Sequence, residues 1–280
     1  MRPAIPDGVV RRMSTFRDRI SIATWIIGLI LAAQPVLIAP AWRVSWTFLG
    51  SPVGVRVDRD FLVGLFLLMA VVGGTQWILT AWDVPYRAIP FSLGAWTLPL
   101  AEGWLALRLL PHQSTKTGWL VGLLGTLVIL AFSWHILARL IGGVDAEFPV
   151  AFALRVVVYV VAGMLYLGLY ALGERSLLAA TQMLVGTYLL SVAFWLPLSW
   201  ATHRRWLYGL VLGVVVAQMA WAFRQLPLSS PRRGLLLLLI FYILTALVER
   251  HVRRGVSWRI ALEYLITGAI VGGIIFLAVP

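Results

Sequence analysis

Nine apolar stretches, each about as long as a bilayer is thick, occupy most of this 280-residue chain. Crossing a hydrocarbon layer of about 30 Å takes about 20 helical residues at about 1.5 Å each. The stretches lie near 20–41, 61–81, 90–110, 118–141, 149–172, 176–200, 206–224, 233–249 and 258–279. Together they leave only short connectors, so the sequence reads as an all-α, polytopic transmembrane helix bundle of about nine spans. Residues 1–19 form a basic amphipathic cytoplasmic arm, and 20–280 a single transmembrane helical domain. A composition of 61% hydrophobic and 12% charged residues, with 14 Trp, fits no soluble domain of this length.

The weakest stretches are the third, which Pro99 interrupts and which holds Glu102, and the eighth, whose uncharged run from Gly234 to Val248 is short for a span. An eight-span chain with a re-entrant third segment is the alternative. Arginine distribution favours nine. With a cytoplasmic N-terminus and Arg155 set aside as intramembrane, 13 basic residues fall inside and nine outside. A re-entrant third segment erases that bias. The expected location is the bacterial cytoplasmic (inner) membrane, with the C-terminus external. The run 20–38 ends in Ala39-Pro40-Ala41, which imitates a signal-peptide cleavage site, but it is longer than a usual h-region and follows a long arm.

Net charge is +12, and all but one of the 23 basic residues are arginine, Lys116 being the lysine. They are scattered at segment ends, which suits anionic lipid headgroups and does not suit nucleic acid. The arm places Val9, Met13, Phe16 and Ile20 on one helical face with Arg11, Arg12, Arg17 and Arg19 around the rest, as a helix on the inner leaflet would. Trp42, Trp46, Trp77, Trp82, Trp200 and Trp206 sit where an aromatic belt is expected. The absence of cysteine removes disulfides, thiolate metal sites and cysteine nucleophiles. Absence of asparagine and preference for arginine give a thermophile-like or GC-rich composition.

Chemistry within the membrane falls to a few polar side chains, because burying an ionisable group costs several kcal/mol. Glu102, His135, Arg155 and Glu263 are the binding or translocation candidates. In the nine-span arrangement His135, Arg155 and Glu263 share a depth, about 8–9 Å below the inner surface at about 1.5 Å per residue. One reading makes Arg155 and Glu263 an ion pair with His135 beside it, a proton relay or anion site. The other has Arg155 and Glu263 snorkelling separately while His135 bonds a neighbouring helix. Glu102 falls near mid-membrane, at the depth of Gln34 and Gln218. It is either a neutral acid bonded to one of them or a proton carrier.

Before the second span, Arg56-Val57-Asp58-Arg59-Asp60 holds a D-x-D pair. Asp58 and Asp60 are weak external acidic candidates for a polyprenyl-phosphate-dependent transferase, and a surface charge cluster capping the second span explains them better. No H-E-x-x-H, phosphate-binding glycine loop or G-x-S-x-G turn is present. His112, His135, His203 and His251 lack ligand spacing, so no metal and no cofactor is expected.

Two further patterns stand out. Ala95-Trp96-Thr97-Leu98-Pro99-Leu100 is echoed by Ala193-Phe194-Trp195-Leu196-Pro197-Leu198, three spans later, which either a duplicated three-helix unit or chance explains. The stretch Leu247-Val248-Glu249-Arg250-His251, with Arg253-Arg254 and Trp258-Arg259-Ile260-Ala261-Leu262-Glu263-Tyr264, resembles the tail of uncharacterised multipass proteins from Chloroflexota-type bacteria. That resemblance implies a bacterial cytoplasmic membrane protein and puts Glu263 in the recurrent part of the pattern.

The sequence therefore points first to a non-enzymatic membrane component that packs with membrane-protein partners or with lipids. A small transporter or flippase for an anionic or lipid-linked solute, using Arg155, Glu263, His135 and Glu102, is the second reading. The transferase is the third.

Overall fold

The computed structural model describes residues 7–38, 41–48, 51–80, 89–141, 148–173, 176–198, 202–255 and 257–278. Nine long helices are present among them: α1 (Asp7–Ala33), α2 (Arg59–Leu79), α3 (Ile89–Leu109), α4 (Lys116–Ile141), α5 (Phe148–Ala171), α6 (Ser176–Phe194), α7 (Thr202–Gln225), α8 (Ser230–Arg254) and α9 (Trp258–Ala278). The all-α class holds, and each helix overlaps one of the nine apolar stretches, although α1 ends at Ala33, eight residues short of the end of the first stretch at 41. Seven of them, α2 and α4 to α9, are long and apolar enough to cross a membrane by length and composition. The third stretch is one uninterrupted helix despite Pro99. Its 21 residues extend about 31 Å, the thickness of the hydrocarbon layer.

Two features were not expected. Helix α1 runs unbroken through residues 19 and 20, so the basic arm continues straight into the first apolar stretch. The short loop before α2 holds an antiparallel hairpin, β1 (Trp42–Phe48) against β2 (Ser51–Val57), in a register from Trp42↔Val57 to Phe48↔Ser51. Trp42, Val44, Trp46 and Phe48 alternate with Arg43, Ser45 and Thr47, the period-2 pattern that a pleated strand needs.

The helices group into two compact units, Met1–Tyr86 with Glu102–Gly142 and Arg87–Ala101 with Gly143–Pro280. The first is built on α1, α2 and α4. Ile27, Leu31, Val71, Ile78, Leu130 and Leu137 fill its core. Trp134 of α4 is buried there and donates its Nε1–H to Thr75 Oγ1 of α2 at 2.9 Å, while Thr75 donates to the carbonyl of Val71 at 2.7 Å. From α1, Arg19 donates to the Trp77 carbonyl at 2.7 Å and to Thr80 Oγ1 at 3.0 Å, and its guanidinium lies 5.4 Å from the Trp77 ring.

In the second unit α5 is the hub. Four of its side chains bond three neighbours: Arg155 and Tyr159 reach α8, Tyr166 reaches Thr187 of α6 at 2.9 Å, and Tyr170 donates to the Ala220 carbonyl of α7 at 2.9 Å. Helices α5 and α8 run antiparallel and close together. A Cβ on Gly234 would lie 3.0 Å from Cα and 3.1 Å from N of Leu167, so this crossing admits only glycine without moving backbone. Likewise a Cβ on Gly213 of α7 would meet the Leu184 carbonyl of α6 at 2.9 Å. Gly209 and Gly213 form the small-xxx-small spacing that lets membrane helices approach this closely.

Helix α6 stops at Phe194, six residues before the apolar stretch ends, because Pro197 has no N–H to continue the ladder and residues 195–197 form a turn. Arg205, buried, donates to the Leu198 carbonyl and ties that turn to α7. The echo between residues 95–100 and 193–198 therefore takes two conformations, Pro99 lying within a helix and Pro197 in a turn.

Candidate functional site

The most developed polar cluster lies between α5 and α8. Arg155 and Tyr159 are one turn apart on α5, and Thr245 and Glu249 are one turn apart on α8, so antiparallel packing brings them together as two rungs. Arg155 Nη2 donates to Glu249 Oε1 at 2.6 Å. Thr245 gives its own proton to the Phe241 carbonyl at 2.8 Å, so the Tyr159 hydroxyl is the donor to Thr245 Oγ1 at 3.0 Å. Glu249 also holds Arg253, one turn on, at 3.0 Å. The Arg155 guanidinium lies 5.5 Å from the Phe194 ring, and Tyr159 packs edge-on against Phe194 and Phe241. Two guanidinium groups thus share one carboxylate, leaving the cluster a net positive charge beside an aromatic wall.

Arg155 therefore pairs with Glu249, where sequence depth pointed to Glu263. Glu263 is exposed on α9 and makes no ion pair among the described residues. His135 belongs to the first unit, half-buried, its ring 6.1 Å from that of Phe16 on α1. Glu102 is buried, and its partner is neither Gln34 nor Gln218. Oε1 accepts from Ser133 Oγ at 2.5 Å, while Oε2 is buried with no hydrogen-bond partner among the described residues. Ser133, Trp134 and His135 are consecutive on α4, so one turn of that helix presents a hydroxyl to α3, an indole to α2 and an imidazole to α1.

Asp58 is the N-cap of α2 and accepts from the Phe61 N–H at 3.1 Å, satisfying one of the free donors of the first turn. Asp60 is exposed and pairs with Arg59 at 3.1 Å. This is the capping cluster that the arginine-interleaved D-x-D suggested. No group of three or more His, Asp or Glu side chains able to hold a metal ion occurs among the described residues.

Of the aromatic belt, Trp42 is exposed and Trp206 lies beside Tyr188 with ring centroids 5.7 Å apart. Trp82, Trp200 and the Trp46 side chain lie outside the described residues, as do the Val9 and Met13 side chains. Phe16 and Ile20 are buried against protein.

Sequence reasoning missed Glu249 and Ser133. The signal for Glu249 was matched spacing: polar residues at i and i+4 on two neighbouring apolar helices can pair twice if the helices run antiparallel. Ser133 carried no comparable mark, since single serines are common in membrane helices.

No curated protein and no solved structure matches this chain. One family model does, that described as "Protein of unknown function (DUF5656)", over residues 38–278. The match takes in the hairpin and all of α2 to α9, and with it both polar clusters, so the chain belongs to the DUF5656 family.

Proposed function

We propose that this protein is a non-enzymatic component of the bacterial cytoplasmic membrane that works by packing with partner proteins or lipids, its N-terminus cytoplasmic and its C-terminus external. The observation that carries this reading is the use of its interior polar side chains. Arg155, Tyr159, Tyr166, Tyr170, Trp134 and Thr75 are each engaged in a bond from one helix to the next. Such bonds hold a bundle together, and each commits a polar group of one helix to its neighbour. The Chloroflexota-type resemblance of the C-terminal stretch supports the bacterial assignment.

Glu102 favours a second reading, a small carrier of protons or an anionic solute. A buried carboxyl oxygen without a partner is costly, and groups of this kind mark transport paths. Proton flux separates the two. The purified protein is reconstituted in liposomes holding a pH-sensitive dye, and a potassium-diffusion potential is imposed. The packing reading expects flux equal to that of empty liposomes. Flux that is above this level and disappears in Glu102→Gln would replace it with the carrier.

A further inference from the structure

A cavity of about 650 Å³ lies in the first unit, among the residues that follow α1, open α2, follow α3 and open α4. Of the polar clusters described above, only the one capping α2 touches it, through Arg59. Its wall combines three chemistries. Arg59 and Lys116 supply positive charge, Asp60 taking up the Nε side of Arg59. Lys116 makes no ion pair among the described residues, and it opens a 26-residue helix whose positive end adds to its charge.

The second element is Gln34. It lines the cavity, is only 3% exposed, and its Oε1 has no hydrogen-bond partner among the described residues. A buried carbonyl left unpaired is costly, and a donor from a ligand would relieve it. The third is hydrocarbon. Leu110, Pro111, Trp119 and Leu120 supply it with Pro35, while the exposed Gln113, Ser114 and Thr115 rim the same wall, and Leu120, 52% exposed, leads from it onto the outer face of α4. Helix α4 is one of the candidate membrane spans, so this mouth opens at the end of a span, where headgroups meet acyl chains.

Cations, an orphaned acceptor and an apolar exit together ask for a ligand with an anionic group, a hydroxyl and a hydrocarbon tail. We propose that this cavity binds the headgroup of an anionic glycerophospholipid that carries a free hydroxyl, such as phosphatidylglycerol. Its phosphate lies by Lys116 and Arg59, its hydroxyl donates to Gln34 Oε1, and its chains leave along Trp119 and Leu120. This goes beyond the non-enzymatic reading and stands or falls apart from it, since a carrier could hold the same lipid.

The test is native mass spectrometry of the delipidated full chain in detergent, titrated with dioctanoyl-phosphatidylglycerol. One lipid should bind ahead of all others, and more tightly than dioctanoyl-phosphatidylmethanol, which has the same charge and no headgroup hydroxyl. Lys116→Gln should weaken that binding about tenfold, equivalent to about 1.4 kcal/mol. Lys116→Arg should restore it, and Arg139→Gln, the same charge loss at the other end of α4, should leave it unchanged. Gln34→Leu should abolish the preference for the hydroxyl. If that buried substitution unfolds the chain, the wild-type preference alone carries the point. Equal binding by wild type and Lys116→Gln, an equal loss with Arg139→Gln, or no preference over phosphatidylmethanol would overturn the proposal. Displacement by inorganic phosphate at matching concentration would also overturn it, in favour of a free-anion site.

Discussion

Arg155 and Glu249 meet at 2.6 Å one turn from the bond between Tyr159 and Thr245, so α5 and α8 are held by two polar rungs in a single register. Removing one partner leaves the other charge half-buried and unpaired. Glu249→Ala should therefore destabilise the detergent-solubilised protein by about 1–3 kcal/mol. Glu263→Ala, on an exposed side chain, should cost less than about 0.5 kcal/mol. The double variant Arg155→Met/Glu249→Leu should recover most of the loss, because a partly buried ion pair adds little over apolar packing. Thermal unfolding of the four proteins checks the order, and a Glu263→Ala loss as large as that of Glu249→Ala would refute it.

The crossing of α5 and α8 depends on Gly234 in a way that hydrophobicity does not replace. A methyl there meets Leu167 backbone, so Gly234→Ala has to push the helices apart, at about 1–3 kcal/mol. Gly273, which has open space around its Cβ position, is the control and should tolerate alanine. Urea or heat unfolding in one detergent suffices to compare them.

Trp134 and Thr75 join α4 to α2 through one buried hydrogen bond. Thr75→Val keeps the shape and removes the acceptor. Hydrogen bonds between membrane helices are worth about 0.6 kcal/mol, reaching about 1.7 kcal/mol, so a loss in that range is expected. Trp134→Ala should cost more, about 3–5 kcal/mol, by leaving a cavity in the core. Equal losses for the two substitutions would mean that packing is not the larger contribution of the indole.

At the start of α2, Asp58→Ala should cost about 1 kcal/mol through loss of the N-cap, while Asp58→Ser or Asp58→Asn should be nearly silent. Asp60→Ala, at an exposed position, should change stability by less than about 0.5 kcal/mol. A stability loss that Asp58→Asn shares in full would show that the charge rather than the cap matters.

How much of this was legible differs from element to element. The nine helices were, because the apolarity of a 20-residue run is a local property that the bilayer rewards directly. The cap at Asp58 was, because it needs only its own next three residues. The β1–β2 hairpin carried a readable alternation from Trp42 to Phe48, overlooked beside the charges that follow it. The spacing of Arg155 and Tyr159 matches that of Thr245 and Glu249, but choosing this pairing requires that α5 lie against α8, which no local property declares. Depth alone pointed to Glu263. The surroundings of Gln34 and the role of Ser133 were hidden for the same reason: a lone polar residue in an apolar helix declares neither its face nor its neighbour.

The antiparallel register of α5 and α8 has a mechanical consequence. Sliding one past the other by a single turn, about 5.4 Å, would set Arg155 against Thr245 or Arg253 in place of Glu249, break the bond from Tyr159 to Thr245 and lose the seat of Leu167 over Gly234. These losses come together, so the pair behaves as one strut with no intermediate settings. Any working motion of the second unit carries the two helices as a rigid body, and compliance is left to α9, none of whose described side chains is fully buried.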